Sequence, residues 1–148
     1  MESSDKISLS LHWDEKGKMM SQIDVLYEPE FSTRSIVKES GWQITTNLTK
    51  CSPTDLFAAS LGSCVLTVMG LAAEKMGVDF QGAKVHVHKE MMPGIPRRIG
   101  PLKVYFTAPC LPEKEICVKL EKIAEQCPVH NSLHPEIVVE FSFQWGSA

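Results

Sequence analysis

The segment that opens Ser52-Pro53-Thr54-Asp55 and runs to Met76-Gly77 constrains this chain more than any other. A capping serine, a proline at the first helical position and a carboxylate three residues after the cap form a capping box. The spacing predicts a helix from Pro53 to about Met76, stopped by Gly77 in a left-handed conformation. Leu56, Phe57, Leu61, Val65, Leu66, Val68, Met69, Leu71 and Met76 occupy nearly every face of it. A helix apolar all round has to be covered on all sides. One layer of sheet from a chain of 148 residues does not suffice, so a second subunit is expected to pack on it.

The segments around this helix read as sheet and one further helix. Ile7, Leu9, Leu11 and Trp13 alternate with polar residues, and Ile23, Val25 and Tyr27 resume the alternation after a turn at Lys16-Gly17. Residues 28–41 are mixed and polar, and Trp42, Ile44 and Thr46 make a further short strand, so the first third is expected to be antiparallel sheet. Val85 and Val87 alternate with His86 and His88, and Leu102, Val104 and Phe106 form the next strand. Met91 to Pro101, rich in Pro and Gly and carrying Arg97-Arg98, is expected to be a loop. Pro112-Glu113-Lys114-Glu115 opens a second helix with Ile116, Leu120, Ile123 and Ala124 on its apolar face. It ends near Gln126-Cys127-Pro128, because the residue before proline disfavours helix. One more turn is expected over His130–Leu133, and Ile137, Val139, Phe141, Phe143 and Trp145 close the chain as a strand. The fold class is α+β, in a single domain over residues 1–148.

Composition narrows the function. A net charge of -3 argues against nucleic acid as the main partner, since phosphate binding needs a basic surface. No unbroken apolar run reaches the roughly 18 to 20 residues of a membrane span. MESSDKISLS lacks a positive region followed by an apolar one, so no signal peptide and no membrane partner are expected, and the location is read as cytoplasmic. The five cysteines, at 51, 64, 110, 117 and 127, are odd in number and are expected to be free thiols in a reducing compartment.

Two of those thiols suggest chemistry. Cys64 lies halfway along the first helix and Cys127 at the end of the second. Packed side by side, the helices would let the pair face each other. A thiolate attacks a peroxide oxygen and becomes a sulfenic acid, which a second thiol converts to a disulfide. An external dithiol then resets the pair. Cys64 would need a nearby cation to lower its pKa among apolar neighbours. Read alone, Cys64 is better explained as a small core hydrophobe; Cys127 and the motif context reverse that preference. Cys127, His130 and His134 give a C-x2-H-x3-H spacing that suits zinc. A structural site needs a fourth ligand from His86 or His88, and neither a metal nor a cofactor is expected.

The segment Ser-Pro-Thr-Asp-Leu-Phe-Ala-Ala-Ser-Leu-Gly-Ser-Cys (52–64), followed by Gln-Cys-Pro-Val-His-Asn-Ser-Leu (126–133), resembles the OsmC/Ohr family of osmotically induced and organic hydroperoxide resistance proteins. The order of elements agrees over roughly residues 7–145. The resemblance implies an OsmC-like fold, with antiparallel sheets wrapped around long apolar central helices in an intertwined homodimer. It implies reduction of organic hydroperoxides, with Cys64 as peroxidatic and Cys127 as resolving thiol, and a dithiol reductant of lipoyl type. The family's glutamate, ten residues before the helix cysteine, is Thr54 here, with Asp55 adjacent. Nine or ten residues of helix span about 14 to 15 Å, so Asp55 would meet Cys64 only across a dimer. The activating arginine of the early strands is also replaced. Lys18 is the nearest stand-in, and Arg34, Arg97 and Arg98 are further candidates. The alternative is a non-catalytic OsmC-like protein that holds a small hydrophobic ligand in the dimer cleft, and a zinc-bound structural dimer is the third reading.

Overall fold

The computed structural model describes residues 15–147, so the strand expected over Ile7–Trp13 lies outside the described residues. The chain divides into two compact units, one up to Ser52 and one from Pro53 onward. In the first, β1 (Ile23–Glu28), β2 (Ser32–Val37) and β3 (Gln43–Asn47) form an antiparallel meander in that order. The turn at Lys16-Gly17 is present, with Gly17 at φ +74. Strand β2 falls in the stretch read as mixed and polar. Its first four residues are Ser, Thr, Arg and Ser, and Thr33 bonds the buried Thr46 across the sheet at 2.8 Å between hydroxyl oxygens. The turn before it carries no Gly or Asn; Glu30 and Phe31 themselves take left-handed φ values of 61 and 56, a conformation such residues rarely adopt.

The second unit is built on α1 (Pro53–Lys75), β4 (Lys84–Met92), β5 (Arg98–Ala108), α2 (Lys114–Glu125), α3 (Pro128–Asn131) and β6 (Val139–Trp145). The predicted limits of α1 hold to within one residue, and Gly77 follows at φ +70. Strand β5 lies between β4 and β6. It pairs antiparallel with β4 and parallel with β6, a parallel pair that the expectation of antiparallel sheets did not include. The cause is connectivity: α2 and α3 carry the chain back over the sheet, and a crossover of this kind returns a strand in the same direction. The core brings together Leu61, Val65, Met69 and Ala73 of α1, Leu102, Val104, Phe106 and Ala108 of β5, Leu120 and Ala124 of α2, and Cys127.

The expected loop over Met91–Pro101 shrinks to residues 93–97. Met91 pairs with Ile99 and Met92 with Arg98, and a register shift between Lys89 and Met91 absorbs Gly100 and Pro101. A bulge is where a strand tolerates both residue types. Gly100 is needed for space as well, since a Cβ there would sit 2.8 Å from Met92 Cγ and Sδ. Arg98 therefore starts a strand and is not a loop residue.

One reading of α1 needs revision. By length and mean composition it does meet the requirement for a membrane span, with a mean hydropathy of 1.9 over 18 residues. Counting unbroken apolar runs missed this, because Ser60, Ser63 and Thr67 interrupt the run without lowering the average enough. Its stripe at four-residue spacing, Leu61, Val65, Met69 and Ala73, is fully buried in the unit, as in a core helix. The expectation that one chain leaves part of the helix uncovered agrees with Leu71, which is 56% exposed among the described residues.

Helix α1 and β4 approach each other at Gly62, where a Cβ would stand 3.1 Å from Val87 Cγ2 and 3.5 Å from Val85 Cγ1. Gly62→Val overpacks this contact and is expected to destabilise the protein by about 1–3 kcal/mol. Leu61→Ala, which empties a fully buried site, is expected to cost about 2–5 kcal/mol. Urea titration reads both as lower midpoints at unchanged slope, and a wild-type midpoint for Gly62→Val would refute the close contact.

Candidate active site

Cys64 shares a helix face with Phe57 and Leu61, at spacings of seven and three residues. It is half-buried and packs against the core cluster. Cys127 is placed by the end of α2. Pro128 has no N–H with which to continue that helix, so it closes through the Gln126 N–H on the Ile123 carbonyl and the Cys127 N–H on the Ala124 carbonyl. Cys127 then turns extended, at φ -63 and ψ 144, and caps α3 with Pro128 in the first turn. Its Sγ accepts the His130 backbone N–H at 3.3 Å. The residue has no exposed surface, and its thiol lies close enough to Cys64 for the two to interact electrostatically. The two cysteines singled out from sequence are therefore neighbours.

The Cys127 thiol is pushed above the ordinary thiol range, first by burial and also by the nearby Cys64 thiol. The backbone N–H groups of His130 and Val129 pull the other way without overcoming this. At neutral pH Cys127 is a protonated thiol facing Cys64. Cys117, also buried, is raised chiefly by desolvation and also by the nearby Glu121 carboxylate. Its thiol donates to the Pro112 carbonyl at 3.5 Å.

The other candidate residues lie elsewhere. Asp55 is held by Lys89 at 2.9 Å, and the same ammonium donates to Thr54 Oγ1 at 2.7 Å. Lys89 was missed in the sequence. Its signal is positional, because it continues the inward-facing phase of Ala83, Val85 and Val87 along β4. This cluster closes one end of a cavity of about 510 Å³ lined by Ala58, Gly62, Leu66 and Val87. Gly62 and Leu66 are each two positions from Cys64, which is about 160° around the helix. That cavity and Asp55 thus face away from Cys64 of the same chain.

A second cavity of about 580 Å³ is lined by Phe57, Ile99 and Ile137, with Arg98, His134 and Glu136 as its polar members. Phe57 is on the Cys64 face. Arg98 is ion-paired with Glu136, Arg97 is exposed in the β4–β5 loop, and Arg34 is ion-paired with Glu28 in the first unit. Lys18, also exposed, belongs to that first unit too. His130 and His134 make other contacts than zinc would need. Nδ1 of His130 bonds the Glu125 carbonyl, and Nδ1 of His134 accepts the Glu136 N–H at 3.2 Å. Among the described residues, no three His, Cys, Asp or Glu side chains gather closely enough to hold a metal ion.

A family model described as OsmC-like protein matches residues 45–142, which include both cysteines. The chain belongs to the OsmC-like family. Its OsmC-like fold recurs in a Psychrobacter arcticus 273-4 protein assigned provisionally to osmotic stress induction and a detoxification response. That protein is 30% identical, over 85% of this chain and 97% of its own, with a TM-score of 0.78. The organic hydroperoxide resistance protein OsmC of Legionella pneumophila shares the fold at 12% identity, over 84% of this chain and 96% of its own, with a TM-score of 0.66. The organic hydroperoxide resistance protein OhrB of Bacillus subtilis does so at 13% identity, over 84% and 98%, with a TM-score of 0.62. No curated protein matches the chain significantly.

The raised Cys127 thiol gives a pH signature. A higher pKa means a smaller thiolate fraction at any given pH, and the thiolate is the species that alkylates. Residue-resolved iodoacetamide labelling is expected to show Cys127 still accelerating above about pH 10, where a free thiol has levelled off. Levelling at or below the free-thiol value would contradict the buried, neutral thiol.

Proposed function

We propose that this OsmC-like protein is a thiol-dependent peroxidase that reduces organic hydroperoxides through Cys64 and Cys127. The observation that carries the reading is the closeness of a half-buried helix cysteine to a fully buried, protonated one. The Cys64 thiolate attacks the terminal oxygen of ROOH, and the O–O bond breaks. The alcohol leaves as ROH, having taken up a proton, and Cys64 becomes a sulfenic acid. Sulfur of Cys127 then attacks sulfur of Cys64. The hydroxyl leaves with the Cys127 proton as water, and a disulfide remains. A dithiol reductant of lipoyl type supplies two electrons to restore both thiols. No metal or cofactor enters these steps.

The apolar cavity lined by Phe57, Ile99 and Ile137 suits the organic part of the peroxide. Of the cations considered, Arg98 is favoured as the activator of Cys64, because it lines the same cavity as a residue on the Cys64 face. Lys18 and Arg97 have no such link. Asp55, held by Lys89, is assigned to anchoring the start of α1, with any contact to Cys64 made across a homodimer. Leu71, the exposed large apolar residue of α1 among the described residues, supports that dimer. Free thiols of this kind suit a reducing cytoplasm. The same apolar cavity also favours a second reading, a non-catalytic protein that holds a hydrophobic ligand.

Stoichiometric organic hydroperoxide separates the two. Two thiols per chain are expected to disappear in the wild type, while Cys127→Ser accumulates a sulfenic acid that dimedone traps. Cys64→Ser should lose neither. Thiol loss no faster than in the unfolded chain would defeat the peroxidase reading and leave ligand binding.

A further inference from the structure

The resolving step needs Cys127 sulfur to stay within reach of Cys64, yet Cys127 sits at a chain break between two helices. Three hydrogen bonds bind that junction together. The His130 backbone N–H donates to Cys127 Sγ at 3.3 Å. The His130 ring donates from Nδ1 to the Glu125 carbonyl, which as a carbonyl only accepts. Asn131 Nδ2 donates to the Gln126 carbonyl at 3.0 Å. The ring also stands edge-on against Phe141 of β6, with centroids 5.3 Å apart at 88°. His130 therefore ties α3 to the last residues of α2 and to the sheet, and its own amide holds the sulfur.

We propose that His130 is a positioning residue for disulfide formation, whose ring anchors α3 so that its backbone N–H keeps Cys127 Sγ aimed at Cys64. This rests on the peroxidase reading for its biological meaning, though the geometry applies to any oxidation of the pair. In this role the ring takes no proton from substrate. Its loss should leave the first step, oxidation of Cys64, unchanged and should slow only the second. An atom misplaced by about 1 Å commonly costs up to a hundredfold in rate, and an unanchored four-residue turn permits displacements of that size.

The test follows both steps by stopped flow and mass spectrometry with cumene hydroperoxide. His130→Ala removes the anchor, and His130→Phe keeps the edge contact on Phe141 while deleting the Nδ1 hydrogen bond. His130→Asn restores a donor near the Nδ1 position. The expected result is an unchanged rate of Cys64 oxidation in all variants. The sulfenic acid should live about ten- to a hundredfold longer in the Ala and Phe variants, and Cys64 sulfinic acid should form at excess peroxide. The Asn variant should return toward wild type. Disulfide closure as fast as wild type in both Ala and Phe variants would overturn the proposal, and so would equal slowing of both steps. If the wild type ignores hydroperoxide, the peroxidase reading fails and diamide decides the positioning role. Diamide takes up the two thiol hydrogens as the disulfide forms, first as an adduct on one cysteine that the other displaces. Slower closure in the Ala and Phe variants then upholds the proposal, and equal closure refutes it.

Discussion

The buried stripe of α1 is the contact on which the rest of the second unit depends. Leu61, Val65, Met69 and Ala73 lie along one line of the helix, and β5, α2 and Cys127 close over that line. Fully burying a side chain of this size is worth about 1.5–3 kcal/mol, so the stripe sets which way α1 faces. Once it is seated, the rest of the helix has no freedom left. Cys64 is turned toward the α2–α3 junction, while Gly62 and Leu66 are turned toward β4 and its cavity. Core packing and site geometry thus share one cause.

That dependence explains why most of the fold was legible in the sequence. Capping box, apolar run and Gly77 delimit α1, and Pro128 marks the break after α2, because each signal is local. Strand β2 was not legible, since it takes its place from pairing with Val25 and Ile44 and its own residues are mostly polar. The bulge at Gly100-Pro101 misled for the opposite reason. Those residues are strong local loop signals, yet the register between β4 and β5 accommodates them inside a strand. Local propensity is overruled where tertiary pairing decides.

The site divides in the same way. The spacing of Cys64 and Cys127 was readable once the two helices were assumed to pack together. The electrostatic partners were not, because an ion pair depends on which strand lies beside which helix. Lys89 meets Asp55 and Thr54 only because β4 runs along α1. Glu136 meets Arg98 only because the β6 approach passes the start of β5. Each is a partly exposed pair worth little in stability. Their importance is positional, since they fix the ends of two cavities on different faces of one helix.

In the proposed peroxidase cycle, a resolving thiol that is buried and protonated is at first sight ill suited to attack, since the thiolate is the better nucleophile. The order of events removes the conflict. Before oxidation, the neutral Cys127 adds no second negative charge beside Cys64, which two thiolates in contact in a poorly solvated site would do at great cost. After oxidation, the sulfenic acid carries a leaving hydroxide that accepts the very proton Cys127 must lose. In that cycle, deprotonation and displacement can then occur together between two neighbouring sulfur atoms. What such a step requires is persistent aim rather than a low pKa. Aim is what the capped, anchored junction at α3 supplies.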